Sequence, residues 1–283
     1  MSRIVYVAGE FVTENEAKIS VFDRSFLFAD GVYEVTSVID GKLVDNAAHL
    51  ARLRRSLDSL KLTFPMSDAE IEAAQKELVE RNGLAEGALY LQVSRGAADR
   101  DFAFPSEPQP VLVMFTQEKR LVDNPAAAKG MSIVTIDDIR WKRRDIKTVQ
   151  LLAPSLAKQA AIEAGSDDAW MVEDGHVTEG TSNNAYIVKG GKIITRPLSN
   201  DILHGITRTA ILKLAARDGV ELEERAFTVA EALEADEAFV TSATTFVMPV
   251  VKIDGKLIGN GNPGSVTLRL RDLYLEEAKA SAV

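Results

Sequence analysis

Lys147 follows a dense basic segment made of Arg140, Lys142, Arg143 and Arg144, and it precedes a helical pattern through Leu151, Leu152, Leu156, Ala160 and Ala161. Positive neighbours and partial desolvation both disfavour an ammonium ion, and a lysine that sheds its proton can form a Schiff base with a carbonyl compound. Four further features fit an anionic, aromatic partner for that amine. Gly205-Ile206-Thr207 opens a helix, so its free backbone N–H groups can hold a phosphate. Ser242-Ala243-Thr244 ends a strand in small hydroxyl residues, a second cradle of the same kind. Glu179 stands in a run of small residues, EGTSNN, that a flat ring can approach closely. Arg52 can give a charge-assisted contact to phosphate. Each has a plainer alternative when taken singly: a surface lysine, a helix cap, a turn, a solvated carboxylate, a solvated helix arginine.

The elements that must position these groups follow from turn and period signals. Residues 3–12 read as two strands turning at Ala8-Gly9-Glu10, and residues 21–27 as a loop carrying Phe22 and Phe26. A strand over 32–39 turns at Asp40-Gly41 and returns over 42–44. Asn46 is placed to cap a helix whose stripe is Leu50, Leu53, Leu57 and Leu60, with Arg52 off that stripe. Ser67 and Glu70 make a capping box for a second helix that ends near Asn82-Gly83. Strands over 88–95 and 111–116 flank a loop over 96–110. The second half repeats the pattern, with hairpin turns at Asp174-Gly175, Gly190-Gly191 and Asp254-Gly255, a helix over 206–217 and a closing helix from about Gly264. So many hairpins imply antiparallel pairing and an α+β arrangement of mixed sheets with helices, an α/β protein that is not doubly wound. The expected organisation is a smaller domain over 1–118, a linker over 119–130, and a larger domain over 131–283 that carries Lys147.

Composition narrows the function classes. The 283 residues have a formal charge of −9, which argues against a general nucleic-acid binder. With no cysteine there is no disulfide, thiolate metal site or cysteine nucleophile. His49, His176 and His204 lie far apart in sequence without metal-ligand spacing, so no metal is expected. No stretch approaches the roughly 20 apolar residues of a membrane helix, and a soluble cytoplasmic protein is expected.

Seven stretches, taken together, are more specific than any of these signals. They are FADGVYEV (28–35), HLARLRRS (49–56), YLQVSRG (90–96), DIRWKRRDIKT (138–148), VTEGTSNN (177–184), LHGITR (203–208) and FVTSATT (239–245). In content, order and spacing the chain resembles the fold type IV pyridoxal-phosphate aminotransferases, and among them the bacterial D-amino-acid aminotransferases. The resemblance implies a two-domain fold, a homodimer, and pyridoxal 5′-phosphate as cofactor. It implies a ping-pong transfer of the amine of a D-amino acid, such as D-alanine, to a 2-oxo acid, such as 2-oxoglutarate. Branched-chain L-amino-acid aminotransferase, (R)-amine transaminase and 4-amino-4-deoxychorismate lyase are the alternatives on the same fold.

The resemblance also assigns roles. Lys147 is the lysine that holds the cofactor and moves the proton. Glu179 faces the pyridine nitrogen. Arg52, Ile206, Thr207, Ser242, Ala243 and Thr244 surround the phosphate, and Arg140 approaches the phenolic oxygen. Tyr33 lines the substrate side, and Arg100 reaches toward a partner subunit's site to hold the substrate carboxylate. The chain departs from the pattern at one place. An Arg-x-His is typical after the YLQVSRG strand, and here the loop reads Arg100-Asp101-Phe102. A phenylalanine at that position implies weaker or differently shaped carboxylate binding, or serves only as a loop anchor.

Overall fold

The computed structural model describes residues 2–283. They divide into two compact units. The first runs through Arg120 and takes in Ile146–Gln150 and Ser281–Val283; the second holds Leu121–Asp145 and Leu151–Ala280. Lys147 belongs to the first unit although it lies in the second half of the sequence.

The first unit contains β1 (Ile4–Val7), β2 (Glu10–Thr13), α1 (Arg24–Phe28), β3 (Gly31–Ile39), β4 (Lys42–Leu43), α2 (Asn46–Ser59), α3 (Asp68–Arg81), β5 (Gly87–Ser94) and β6 (Val111–Glu118). Its six strands form one antiparallel sheet in the order β2-β1-β6-β5-β3-β4. Asp40 and Gly41 both adopt positive φ, 51° and 73°, the two-residue geometry whose twist matches the flanking strands. The leucine stripe of α2 and Ile71 and Leu78 of α3 join Val32, Val38, Leu89, Leu91 and Met114 in one core, which also takes in Ile146. The Ser67–Glu70 capping box forms as expected.

Two local expectations are corrected here, and one plainer alternative is set aside. Residues 24–28 are one helical turn rather than loop, because Asp23 accepts from the Ser25 N–H and caps it. Asp45, in the left-handed region at φ 54°, occupies the cap position of α2. Asn46 is instead buried, and its amide donates to Gln75 Oε1 at 2.9 Å and Glu72 Oε2 at 3.2 Å, tying α2 to α3. Arg52 is buried beside the stripe rather than solvated, since β3 supplies it with a carboxylate partner.

The second unit contains α4 (Pro125–Lys129), β7 (Met131–Asp137), α5 (Leu152–Glu163), β8 (Asp168–Glu173), β9 (His176–Gly180), β10 (Asn184–Lys189), β11 (Lys192–Thr195), α6 (Ile206–Arg217), β12 (Leu222–Glu224), α7 (Val229–Leu233), β13 (Glu237–Ser242), β14 (Phe246–Ile253), β15 (Lys256–Leu257) and α8 (Ser265–Ser281). Its sheet runs β12-β11-β10-β13-β14-β7-β8-β9, with β15 on β14. Pairing is mixed. The hairpins are antiparallel, whereas β7 lies parallel to both β14 and β8, and β11 parallel to β12. Helix α5 is the crossover that parallel β7 and β8 require. Trp170, Phe227, Ile187, Val240 and Met248 lie in the core. Among the described residues, no helix is long and apolar enough to cross a membrane.

Candidate functional site

Lys147 is pinned through its backbone. Its carbonyl accepts from Tyr33 N–H at 3.0 Å, its own N–H meets Ser56 Oγ at 3.4 Å, and Val149 N–H donates to Gly31 O at 3.1 Å. Thr148 forms an antiparallel bridge with Val32. The segment therefore adds an extended stretch beside the start of β3, which explains why it packs with the first unit. The half-buried ammonium lies 4.0 Å from the centre of the Tyr33 ring. Tyr33 stacks on Tyr90 at 5.5 Å, and Tyr90 on Phe115 at 4.7 Å, so the ring beneath the lysine is itself supported. Burial first, and the neighbouring Tyr33, push the Tyr90 phenol above its ordinary range.

The basic run before Lys147 is not a pool of free charge. Arg140 pairs with Asp138 and Glu179, Lys142 with Glu173, Arg143 with Asp145, and Arg144 with Glu173 and Asp138. The inference from cationic neighbours loses its footing, since each charge is already met by a carboxylate.

Arg52 sits in a buried trio. Its Nε and Nη2 donate to the two oxygens of Glu34 at 2.8 and 2.7 Å, and His49 Nδ1 lies 2.7 Å from Glu34 Oε2. Burial pushes the Glu34 carboxyl up, but the charge and bonds of Arg52, then those of His49, outweigh it and hold the group at about 2. Because the folded value lies below the ordinary 4.5, this stabilisation is present above that range and is lost as pH falls toward 2. Glu34 fixes the plane of the guanidinium that the sequence assigns to phosphate.

Glu179 is buried in the second unit among donors. Arg140 Nη1 reaches Oε1 at 2.5 Å, Asn184 Nδ2 reaches Oε2 at 3.0 Å, and Leu203 N–H lies 3.2 and 3.1 Å from the two oxygens. Burial pushes the Glu179 carboxyl above its ordinary range, and the charge and bond of Arg140 pull against that rise. A cation brought against this carboxylate therefore gains more than it would at a solvated one. Arg140 is committed to Asp138 and Glu179, and Asp138 accepts in turn from Thr178 at 2.6 Å.

Helix α6 begins at Ile206 with no side chain capping it. A Cβ at Gly205 would stand 2.1 Å from Asn184 Oδ1, so any larger residue there would force the Asn184 side chain to shift. The same asparagine donates to Leu203 O at 3.0 Å, so one side chain orients both Glu179 and the approach to the helix. At the end of β13, Ser242 Oγ lies 2.8 Å from Thr245 Oγ1 and accepts from Thr245 N–H at 3.1 Å, closing a turn over Ala243 and Thr244. Within the second unit, an uncapped 12-residue helix start, a hydroxyl-bearing turn and a buried carboxylate are groups of the kind that a phosphorylated pyridine ring needs, and within the first unit a lysine over an aromatic ring offers an amine.

Arg100 and Phe102 are both exposed, in the loop after β5. Phe102 packs edge-on to Phe28 at 5.5 Å, and Arg100 lies over both rings at 5.4 and 5.7 Å. Asp101 turns inward on its own loop, where Oδ1 accepts from Ala103 N–H at 3.0 Å. Sequence reasoning missed Asn184, Asp138, Glu34 and His49. Asn184 had a signal, since a glycine just before a helix start implies that something must come close. Glu34 and His49 gave none, because their pairings span 15 and 18 residues, whereas Asp138 stands two residues before its partner Arg140.

Residues 31–253 match the family model described as amino-transferase class IV. A D-alanine aminotransferase of Bacillus licheniformis is 41% identical over 259 residues, covering 92% of this chain and 91% of that protein. One from Staphylococcus aureus (strain N315) is 39% identical over 270 residues, covering 95% of each. Among solved structures, a T.th. branched-chain amino acid aminotransferase with pyridoxamine 5′-phosphate is similar at a TM-score of 0.91 and 27% identity, covering 99% of this chain and 95% of that one.

Proposed function

The chain belongs to the class IV aminotransferases, and on that premise we propose that it moves the amine of a D-amino acid such as D-alanine to a 2-oxo acid such as 2-oxoglutarate. It is a transaminase, and its cofactor is pyridoxal 5′-phosphate. The substrate reading rests above all on about 40% identity, over nearly the whole chain, to D-alanine aminotransferases.

When bound, the cofactor supplies a conjugated electron sink for the carbon that gains or loses the amine. Lys147 Nζ holds it and carries the proton at the substrate α-carbon. The Glu179 carboxylate keeps the ring nitrogen protonated, and Asn184, Arg140 and the Leu203 N–H keep that carboxylate in place. The N–H groups of Ile206 and Thr207, the turn over Ser242, Ala243 and Thr244, and Arg52 hold the phosphate. Tyr33 and Arg100 bind the substrate carboxylate, and Phe102 bounds it with an apolar wall.

A cytoplasmic homodimer belongs to the same reading. The first unit exposes Val21, Phe22, Phe26 and Phe102, and α5 buries Ala157 and Ala161 while exposing Leu152, Leu156 and Ile162. Large apolar groups left in water on this scale mark a surface that another subunit covers. Light scattering on the purified protein, returning the mass of one chain, would remove the dimer.

The substrate is tested by the half-reaction. Yellow holoenzyme is mixed with D-alanine, L-leucine or (R)-1-phenylethylamine, without an acceptor. D-Alanine is expected to bleach it rapidly and the other two slowly; bleaching by L-leucine or by the amine instead would reassign the substrate. Phe102→His is expected to lower KM for D-alanine about tenfold, the worth of one charge-assisted hydrogen bond. An unchanged KM would place Phe102 outside the site.

A further inference from the structure

Arg24 is buried at the start of α1 and takes no part in the chemistry described above. Its Nε shares one oxygen, Asp30 Oδ2, with the Nε of buried Arg95, both at 2.8 Å. One carboxylate thus serves two guanidinium groups, and carbonyl oxygens must satisfy the remaining donors. For Arg95 these are Leu60 O at 2.8 Å and Lys61 O at 3.2 Å, just past the end of α2. For Arg24 they are Asp101 O at 2.6 Å and Ala103 O at 3.3 Å, the carbonyls on either side of Phe102. The loop is held a second time by Phe104, whose ring covers Arg95 at 3.7 Å and lies 5.7 Å from Arg24. Arg24 also stands 4.5 Å over Phe28, the ring that Arg100 and Phe102 rest against.

We propose that Arg24 is a positioning residue for substrate binding: by holding the Asp101 and Ala103 carbonyls it fixes the loop that presents Arg100 and Phe102. This rests on the reading of Arg100 as the carboxylate anchor. Arg100 itself is exposed and rests on aromatic faces, so its placement comes from the backbone beneath it. If the loop lifts away, a buried guanidinium is left short of acceptors, which keeps the open state sparsely populated. A fixed loop spares the substrate the cost of ordering its own anchor.

The test compares Arg24→Met, Arg100→Ala and the double variant as holoenzymes, with D-alanine as donor. Arg24→Met is expected to raise KM roughly 10- to 100-fold with kcat changed less than about threefold. The double variant should be no worse than Arg100→Ala alone, because Arg24 acts through Arg100. Hydroxylamine, which carries no carboxylate, should strip the yellow colour of Arg24→Met at the wild-type rate, and amide exchange over 98–104 should quicken. Multiplying effects in the double variant, or a normal KM for Arg24→Met beside a raised one for Arg100→Ala, overturns the inference. A normal KM for Arg100→Ala overturns the anchor reading itself and the inference with it. If Arg24→Met does not fold, Phe104→Ala frees the same loop from the half-exposed side and is held to the same outcomes.

Discussion

Lys147→Ala is expected to abolish amino transfer, with turnover of D-alanine and 2-oxoglutarate falling by at least about 10³-fold. The backbone argument makes this a clean test. Tyr33 N–H, Ser56 Oγ and the bridge to Val32 all engage the main chain of 147–148, and alanine keeps every one of them. Only the three methylenes beyond Cβ and the amine disappear from above the Tyr33 ring. Thermal stability should therefore change little, and a loss of activity cannot be laid to unfolding. Borohydride reduction of the wild-type holoenzyme, followed by peptide mass mapping, should place the cofactor on the peptide containing Lys147, and the variant should give no such adduct. Residual turnover above about one part in a hundred, or an adduct on another lysine, would reject the assignment.

The turns and helix ends were legible because they are local. The Asp-Gly and Gly-Gly pairs announced their hairpins, and Ser67 with Glu70 announced α3, since each signal lies within four residues of its effect. Candidate site residues were legible one by one through their chemistry and through the resemblance of seven stretches. What the sequence could not supply was partnership. Arg52 was read as a phosphate contact, but nothing near it in sequence announced Glu34, 18 residues earlier, as the carboxylate that holds it. The run from Arg140 to Arg144 was read as accumulated positive charge; Asp138 and Asp145 flank it within two residues, and only the fold adds Glu173 and Glu179, 29 and 39 residues from their partners. Arg24 has Asp30 only six residues away, but its hold on the loop carried no signal, because those acceptors are backbone carbonyls 77 and 79 residues away. Lys147 was read as part of the second half, and only strand pairing with Val32 brings its segment to the first unit. Long-range pairing of charges and extended segments is set by the sheet, and no window of sequence contains it.

Glu179→Gln should lower kcat about 10²- to 10³-fold while leaving KM for D-alanine within about threefold, because the ring-nitrogen charge matters to the reacting carbon and not to the carboxylate anchor. The substitution keeps the length and shape of the side chain. It removes the negative charge and turns one acceptor oxygen into a donor. Glu179 now accepts from Arg140 on Oε1, from Asn184 on Oε2 and from Leu203 N–H on both. Glutamine can satisfy Arg140 with its oxygen, and its amide then faces the Asn184 amide, donor against donor. Asn184 cannot turn away freely, since its Nδ2 also holds Leu203 O and its Oδ1 is packed against Gly205. Arg140 keeps Asp138, so the buried cation is not orphaned and the fold should survive. Adding Asn184→Asp would give the glutamine amide an acceptor but set a carboxylate oxygen against Leu203 O, where Nδ2 now donates at 3.0 Å, so the double variant should not recover stability. If Glu179→Gln alone turns over within about threefold of wild type, the carboxylate serves only to hold Arg140 and Leu203, and the role at the ring nitrogen is lost.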